Sequence, residues 1–247
     1  MLNPAHTSLY ASALSAEFSD FEEAARYALL RRLMPAIRHD MMGNFQAMGM
    51  LAAMLERRLK AVEPDLAGIR ETCTSLTNAT RSTVGSSNDF LCWIEASNAS
   101  SLKFDVGLME CLGLLTTELR FQGFVIVNEV SGIEAELSGR ALRSVLCAAL
   151  LALGDLSKSP AELIIRAQAT PDRVEVDIDM RPTEGRPASF SSPSYRALSW
   201  RDVEILAMAE SVKLTLASGG VQLSFPRGPV SLPIDGVVRT TIGVSSK

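Results

Sequence analysis

Apolar side chains in the first hundred residues recur every three or four positions, the spacing of one helix face, and no stretch there alternates as a strand does. The segment SDFEEAARYALLRRLMPAIRHDMMGNFQAMGMLAAMLERRLKA opens with Ser19 and Glu22 in capping-box spacing, which predicts a helix start there and leaves residues 1–18 as a tail. Pro35 removes an N–H from this pattern and predicts a kink or break near residues 31–35. VEPD at 62–65 reads as a turn, with Pro64 at the first position of a second helix through Leu66, Ile69, Cys73 and Leu76 toward Phe90, Trp93 and Ile94. Two long helices and a short turn make an antiparallel hairpin over residues 19–97. One hairpin cannot bury both apolar seams, so a four-helix bundle formed by a homodimer is expected.

The pattern then changes. EASNASSLKFD at 95–105 is polar and irregular and reads as a linker. VGLMECLGLLTTELRFQG is an amphipathic helix ending at Gly123, followed by the strand FVIVNEV, a short strand near EAEL and an apolar helix from about 139 to 154. AELIIRAQATPDRVEVDIDM holds two strands around a Thr-Pro-Asp turn, and RPTEGRPASFSSPSYRALS is a loop by composition. Ser199, with Asp202 three residues on, caps a helix over WRDVEILAMAE. VKLTLA and VQLSFP form a second hairpin around Ser218-Gly219-Gly220. This order predicts a two-layer α/β sandwich over residues 104–227, an α+β chain as a whole, and a C-terminal tail over 228–247.

On a wheel of about 100° per residue with Ile37 at the origin, Met34, Met41, Asn44, Phe45, Met48, Leu51 and Leu55 fall on or near one seam. His39, one of only two histidines, falls about 200° away, on the opposite side. Its stripe holds Pro35, Met42, Gly43, Gln46, Met50 and Ala53, none of them charged, where a solvated face would carry several Lys and Glu. Such a strip beside an imidazole has the character of a docking surface. Spacing alone is met equally by a plain surface histidine, or by a strip that the second half of the chain folds over.

The chemistry open to His39 is nucleophilic. A neutral imidazole nitrogen accepts a phosphoryl group through a loose transition state in which positioning and charge matter most. Asp40 is a candidate to hold the other ring N–H, and Arg38 to attract an acidic partner, with a solvated arginine as its alternative reading. No serine stands in a G-x-S-x-G elbow, and no H-x-x-x-H or HExxH supplies metal ligands, so a hydrolytic triad or a metal centre is not expected.

Composition adds limits. Apolar residues make up 47% and charged residues 21%, enough for a packed core. The net charge of −4 argues against binding nucleic acid by phosphate neutralisation. Cys73, Cys92, Cys111 and Cys147 are widely spaced and read as reduced, mostly buried thiols. The longest apolar run, VLCAALLAL, is half a membrane span, so no membrane association and a cytoplasmic location are expected.

RHDMMGNFQAMGMLAAML resembles the H-box of two-component sensor histidine kinases, where a His followed by Glu or Asp opens the first dimerisation helix. The hairpin, linker and α/β half match, in order, a dimerisation domain followed by an ATP-binding kinase domain, over roughly residues 20–227. Where the family often carries Asn, Thr or Ser four residues after the His, Gly43 stands here. The family's N-box holds Mg²⁺ and phosphates with two asparagines four apart; the matching helix LRSVLCAALLALGD has Ala148 and Ala152. Its D-x-G reads Asp179-Met180-Arg181, and SPSYRALSW replaces the lid glycines. An intact His-Asp pair on a kinase-like domain without nucleotide ligands resembles the dimeric, kinase-derived histidine phosphotransferases. That resemblance implies a relay of phosphoryl groups between response-regulator receiver domains through His39 and Asp40, with Arg38, Met42, Gly43, Gln46 and Met50 meeting the receiver. It implies no cofactor of the chain's own, Mg²⁺ coming with the receivers. The alternatives are a non-catalytic dimeric adaptor in which His39 is a relic and, less favoured, an ATP-dependent sensor kinase.

Overall fold

The structure is a computed structural model that describes residues 4–94, 101–157, 159–184 and 196–228, the side chains of 4–15, 89–90 and 92–94 lying outside that description. Helix α1 runs unbroken over Pro4–Leu59. It starts well before Ser19, so residues 4–18 are its first turns and not a tail. Pro4 suits a first helical position, and the Ala- and Leu-containing sequence after it has no glycine to stop the helix. A cap-spaced pair signals a start only where the preceding residues cannot continue the helix, and here they can. Nor does Pro35 break it: Leu33 and Ile37 on either side are buried, so packing holds both flanks in helical register around one missing hydrogen bond.

Helix α2 spans Leu66–Ile94 and returns antiparallel along α1. Arg58 of α1 donates to Thr72 Oγ1 at 3.0 Å and also to the Gly68 carbonyl, while Thr83 lies 3.3 Å from the sulfur of Met48. Pro64 is not the first helical residue. Asp65 caps α2 instead, its Oδ1 accepting from Ala67 N–H at 3.1 Å and its carbonyl from Ile69 N–H at 2.9 Å.

The expected linker is partly regular. Strand β1 (Ser101–Lys103) pairs antiparallel with β3 (Glu136–Ser138), and helix α3 starts at once, spanning Phe104–Phe121. Residues 95–100 lie outside the described residues. Gly123 then takes a φ of +84°, which turns the chain into β2 (Phe124–Asn128). After β3 the helical path has three parts: α4 (Gly139–Ala141), a π-helical stretch Leu142–Leu146, and α5 (Cys147–Leu156). Strands β4 (Ala161–Ala169) and β5 (Arg173–Pro182) form a hairpin. Helix α6 (Trp200–Ala209) and a last hairpin of β6 (Lys213–Ala217) and β7 (Gly220–Pro226) complete the described fold.

The sheet order is β2-β4-β5-β7-β6, with β2 and β4 parallel and the remaining pairs antiparallel. Alternation along β5 puts Val174, Val176 and Ile178 into the core and Glu175, Asp177 and Asp179 on the opposite face. Against the inner face lie Leu108, Cys111, Leu115 and Leu119 of α3, the whole of α5 from Cys147 to Leu153, and Val203 and Leu206 of α6. This is an α+β chain with one helix layer on a mixed sheet. Cys111 and Cys147 are buried free thiols, burial and the neighbouring Cys111 pushing the Cys147 thiol up, and Cys73 is exposed. No described helix is long and apolar enough to cross a membrane.

The capping box of α6 is formed as expected: Ser199 Oγ accepts from the Asp202 N–H, and Asp202 Oδ2 from the Ser199 N–H at 2.8 Å. Burial opposes ionisation of Asp202, but hydrogen bonds from both Nη atoms of Arg196 and from Ser199 hold its carboxyl down at about 2. Because the folded value lies below the unfolded one, this stabilisation is present above about pH 4 and is lost as pH falls toward 2. Asp202→Asn is therefore expected to destabilise by about 1–2 kcal/mol at pH 7. In urea melts, variant and parent should converge near pH 2.

Candidate functional site

Helix α1 carries the candidate residues, and its environment changes along its length. In the N-terminal part Ala25, Leu29, Leu33 and Ile37 form a buried stripe packed into the α/β core. Arg32 lies on the edge of that stripe with its side chain only 1% exposed. Its Nη1 reaches Asp155 Oδ2, just beyond the buried part of α5, at 2.5 Å; Nη2 and Nε reach Glu118 Oε1 of α3 at 2.6 and 3.2 Å. Burial opposes the charge on Arg32, and the two carboxylates more than offset it, so its pKa is raised. Asp155 also accepts from the Leu198 N–H at 2.8 Å, which ties in the segment leading to α6. One turn and a half earlier, Arg26 meets Glu210 at 2.5 Å, and Arg140 meets the same carboxylate at 2.7 Å.

His39 is one heptad beyond Arg32, about 10 Å along α1 and about 20° around it. The stripe passes from buried to open over that distance: His39 is exposed, and so are Pro35, Met42, Gly43, Gln46, Met50 and Ala53. Among the described residues, the α/β layer therefore does not fold over the strip. The structure leaves the expected strip continuous and places His39 within it. It does not bring Asp40 onto the imidazole. Consecutive helical residues diverge by about 100°, so Arg38 and Asp40 point to either side of His39. Both are exposed, and neither Asp40 nor His39 makes a side-chain hydrogen bond or ion pair among the described residues.

A second open face lies on the hairpin. Asn44, Met48, Leu51 and Leu55 are half-buried on the side of α2 and Met41 is half-buried against the core cluster, but Phe45, expected on that seam, is exposed, about 80° around from Ile37. It shares an open flank with Ala52 and Leu59. On α2, Leu66, Cys73, Val84 and Leu91 are exposed at heptad-related spacing. In an antiparallel pair these two flanks fall on the same side, away from His39.

The positions matched to a nucleotide site are occupied otherwise. Ala148 and Ala152 are fully buried in α5. The polar groups just before them are satisfied within the chain: Arg143 binds Glu110 through Nε at 3.0 Å and Nη2 at 2.8 Å, and Ser144 donates to the Arg140 carbonyl at 2.6 Å. Asp179-Met180-Arg181 lies inside β5 and does not follow it. Asp179 projects from the face away from the helices and pairs with Arg166 at 2.6 Å. Arg166 also meets Glu129 at 2.7 Å. Among the described residues no cluster of metal-ligating side chains occurs. SPSYRALSW falls partly outside the described residues; Arg196, Leu198 and Ser199 serve the α6 cap and the Asp155 node.

Sequence reading missed Arg26, Arg32, Glu118, Asp155 and Glu210. The available signal was an arginine placed on an apolar stripe between Leu29 and Leu33. Its partners lie 86 and 123 residues away, beyond the reach of any local pattern.

No protein-family model and no curated protein matches the chain. Solved structures with partial likeness include the Acinetobacter baumannii histidine kinase AdeS, at 13% identity and a TM-score of 0.41, over 72% of this chain and 95% of that one. A histidine kinase from Burkholderia phymatum gives 11% identity and 0.42, over 83% and 97%. A bacterial phosphotransferase gives 13% and 0.36, over 79% and 95%. Likeness at this level leaves function to be argued from the chain's own residues.

A Cβ built on Gly43 meets nothing within 4 Å. Since glycine in an open helix costs roughly 0.5–1 kcal/mol relative to alanine, Gly43→Ala is expected to raise stability by about that amount in urea unfolding.

Proposed function

We propose that this chain is a histidine phosphotransferase that relays phosphoryl groups between response-regulator receiver domains through His39. The observation that carries the reading is the placement of His39 on an open, uncharged strip of α1, in a stretch resembling a kinase H-box. A receiver bearing an aspartyl phosphate docks on Met42, Gly43, Gln46 and Met50. The neutral ring nitrogen attacks phosphorus, the N–P bond forms as the acyl O–P bond breaks, and the receiver's carboxylate leaves. The ring's other nitrogen gives up its proton as the positive charge on the imidazolium is discharged to water. A second receiver reverses the sequence. Receiver-bound Mg²⁺ neutralises charge on the transferred group. Asp40 and Arg38 flank the ring without touching it, so they act by local field and by contact with the receiver.

Buried methyl groups at Ala148 and Ala152, and the outward Asp179 held by Arg166, support a domain that does not use ATP. The coplanar apolar flanks of α1 and α2 support a homodimer joined through the hairpin, with a second copy covering Phe45, Leu59, Leu66, Val84 and Leu91.

Incubation with a panel of phosphorylated receivers should place acid-labile label on the wild-type chain and none on His39→Gln, which faces away from both apolar seams and should fold and associate normally. Label persisting on His39→Gln would move the site to His6. Label absent from every receiver, with binding retained and indifferent to His39→Gln, would favour the adaptor reading. Gly43→Glu is expected to weaken receiver binding, since its charge opposes an acidic receiver pocket while its Cβ disturbs nothing in the chain. Calorimetry is expected to find no nucleotide binding tighter than roughly 100 μM, about −5.5 kcal/mol. Light scattering should give twice the 26.6 kDa of the chain. A 26.6 kDa species at micromolar concentration would rule out the dimer.

A further inference from the structure

We propose that Met42, Met50 and Met54 are modification sites through which peroxides weaken receiver docking on the strip, each thioether being converted to a sulfoxide and back. This rests on the docking of receivers on α1 argued above. Five of the chain's ten methionines, Met41, Met42, Met48, Met50 and Met54, stand between residues 41 and 54, and none of residues 41–55 is charged. The structure sorts the five into two groups. Met42, Met50 and Met54 are 49, 64 and 43% exposed and lie within about 60° of His39 around the helix. Met41 and Met48 point about 160–180° away from His39 and are half-buried. Met41 packs against the core cluster, and the Met48 sulfur lies 3.3 Å from Thr83 Oγ1.

On the strip, methionine supplies what leucine does not. Its unbranched, polarisable side chain repacks against differently shaped partners, which suits a surface that accepts more than one receiver. The same sulfur stands in solvent, open to oxidants. A sulfur lone pair attacks the distal oxygen of hydrogen peroxide, and the S–O bond forms as the O–O bond breaks. The proton passes to the departing oxygen, which leaves as water; sulfur is oxidised by two electrons and the peroxide reduced. The product is a strong dipole on a strip whose one other polar side chain besides His39 is Gln46. Docking then strips water from the sulfoxide without returning a partner, a loss that corresponds to about tenfold in affinity.

Hydrogen peroxide is the probe, removed with catalase before any receiver is added, so that this chain alone is oxidised. Peptide mass spectrometry is expected to find sulfoxide at Met42, Met50 and Met54 well before Met41 and Met48. Calorimetry with a receiver that binds the untreated chain should show binding weakened about tenfold, in His39→Gln as in the parent. Methionine sulfoxide reductases for both epimers should restore it. Met34, Met109 and Met208 are also exposed but lie off the strip. Met42→Leu/Met50→Leu/Met54→Leu keeps those three and is expected to bind equally before and after peroxide. The proposal is overturned if the parent, oxidised at all three strip positions, binds as the untreated chain does, or if the leucine variant loses as much as the parent. Should the leucine variant fail to fold, the reductases decide: sulfoxide removed without return of affinity overturns the proposal. An untreated chain that binds no receiver defeats the proposed function and this inference together. One that binds, and is indifferent to peroxide, defeats this inference alone.

Discussion

A guanidinium with 1% of its side chain exposed cannot be left without partners, and the arrangement of this protein depends on how Arg32 is satisfied. Glu118 and Asp155 come from the ends of two helices in the α/β layer, and Asp155 is held in turn by the Leu198 backbone. One cation therefore joins α1, α3, α5 and the approach to α6. The energetic value of such a node lies less in net stability than in the penalty for every arrangement that breaks it. It ties the layer to α1 close to the point, after Ile37, where that helix passes from core to open surroundings.

That boundary divides α1 into two sections with different surroundings. On its N-terminal side the helix is part of a domain core through Ala25, Leu29, Leu33 and Ile37. On its C-terminal side the same helix has three distinct faces: a seam against α2, an apolar flank continued by α2, and the uncharged strip with His39. A 56-residue helix is stable in these surroundings because each section packs against something different, not because its sequence has one strong amphipathic period. That is also why Pro35 is tolerated: the helix is clamped on both sides of it.

The α/β layer is built as a packed support. Its central helix buries every side chain from Cys147 to Leu153, and the polar residues on the preceding π-helical stretch are consumed by Glu110 and by backbone. The outward face of the sheet carries the acids of β5, neutralised in part by Arg166. The polar groups of the π-helical stretch, Arg143 and Ser144, are thus already paired within the chain.

Sequence alone determined the elements that depend on neighbours within a few residues. The two long helices, the β4–β5 and β6–β7 hairpins, the Ser199–Asp202 cap and the position of His39 opposite the α2 seam were all legible, because hydrogen-bond period and side-chain direction are local properties. So was the apolar character of the helix that carries Ala148 and Ala152. Starts and ends were less secure: Ser19 and Pro64 carried correct cap chemistry at places where the helix ran on or began later. What only the tertiary structure decided are pairings set by distant parts of the chain. The short strand at Ser101–Lys103 exists because Glu136–Ser138 is beside it. Asp179 turned outward because β5 extends through it, in register with Ile164 and Gly220. Arg32 became the anchor of the helix because two carboxylates far along the sequence meet it. An apolar stripe records that a surface is covered, but the charged partners at its edge come from chain segments that no i, i+4 pattern reaches.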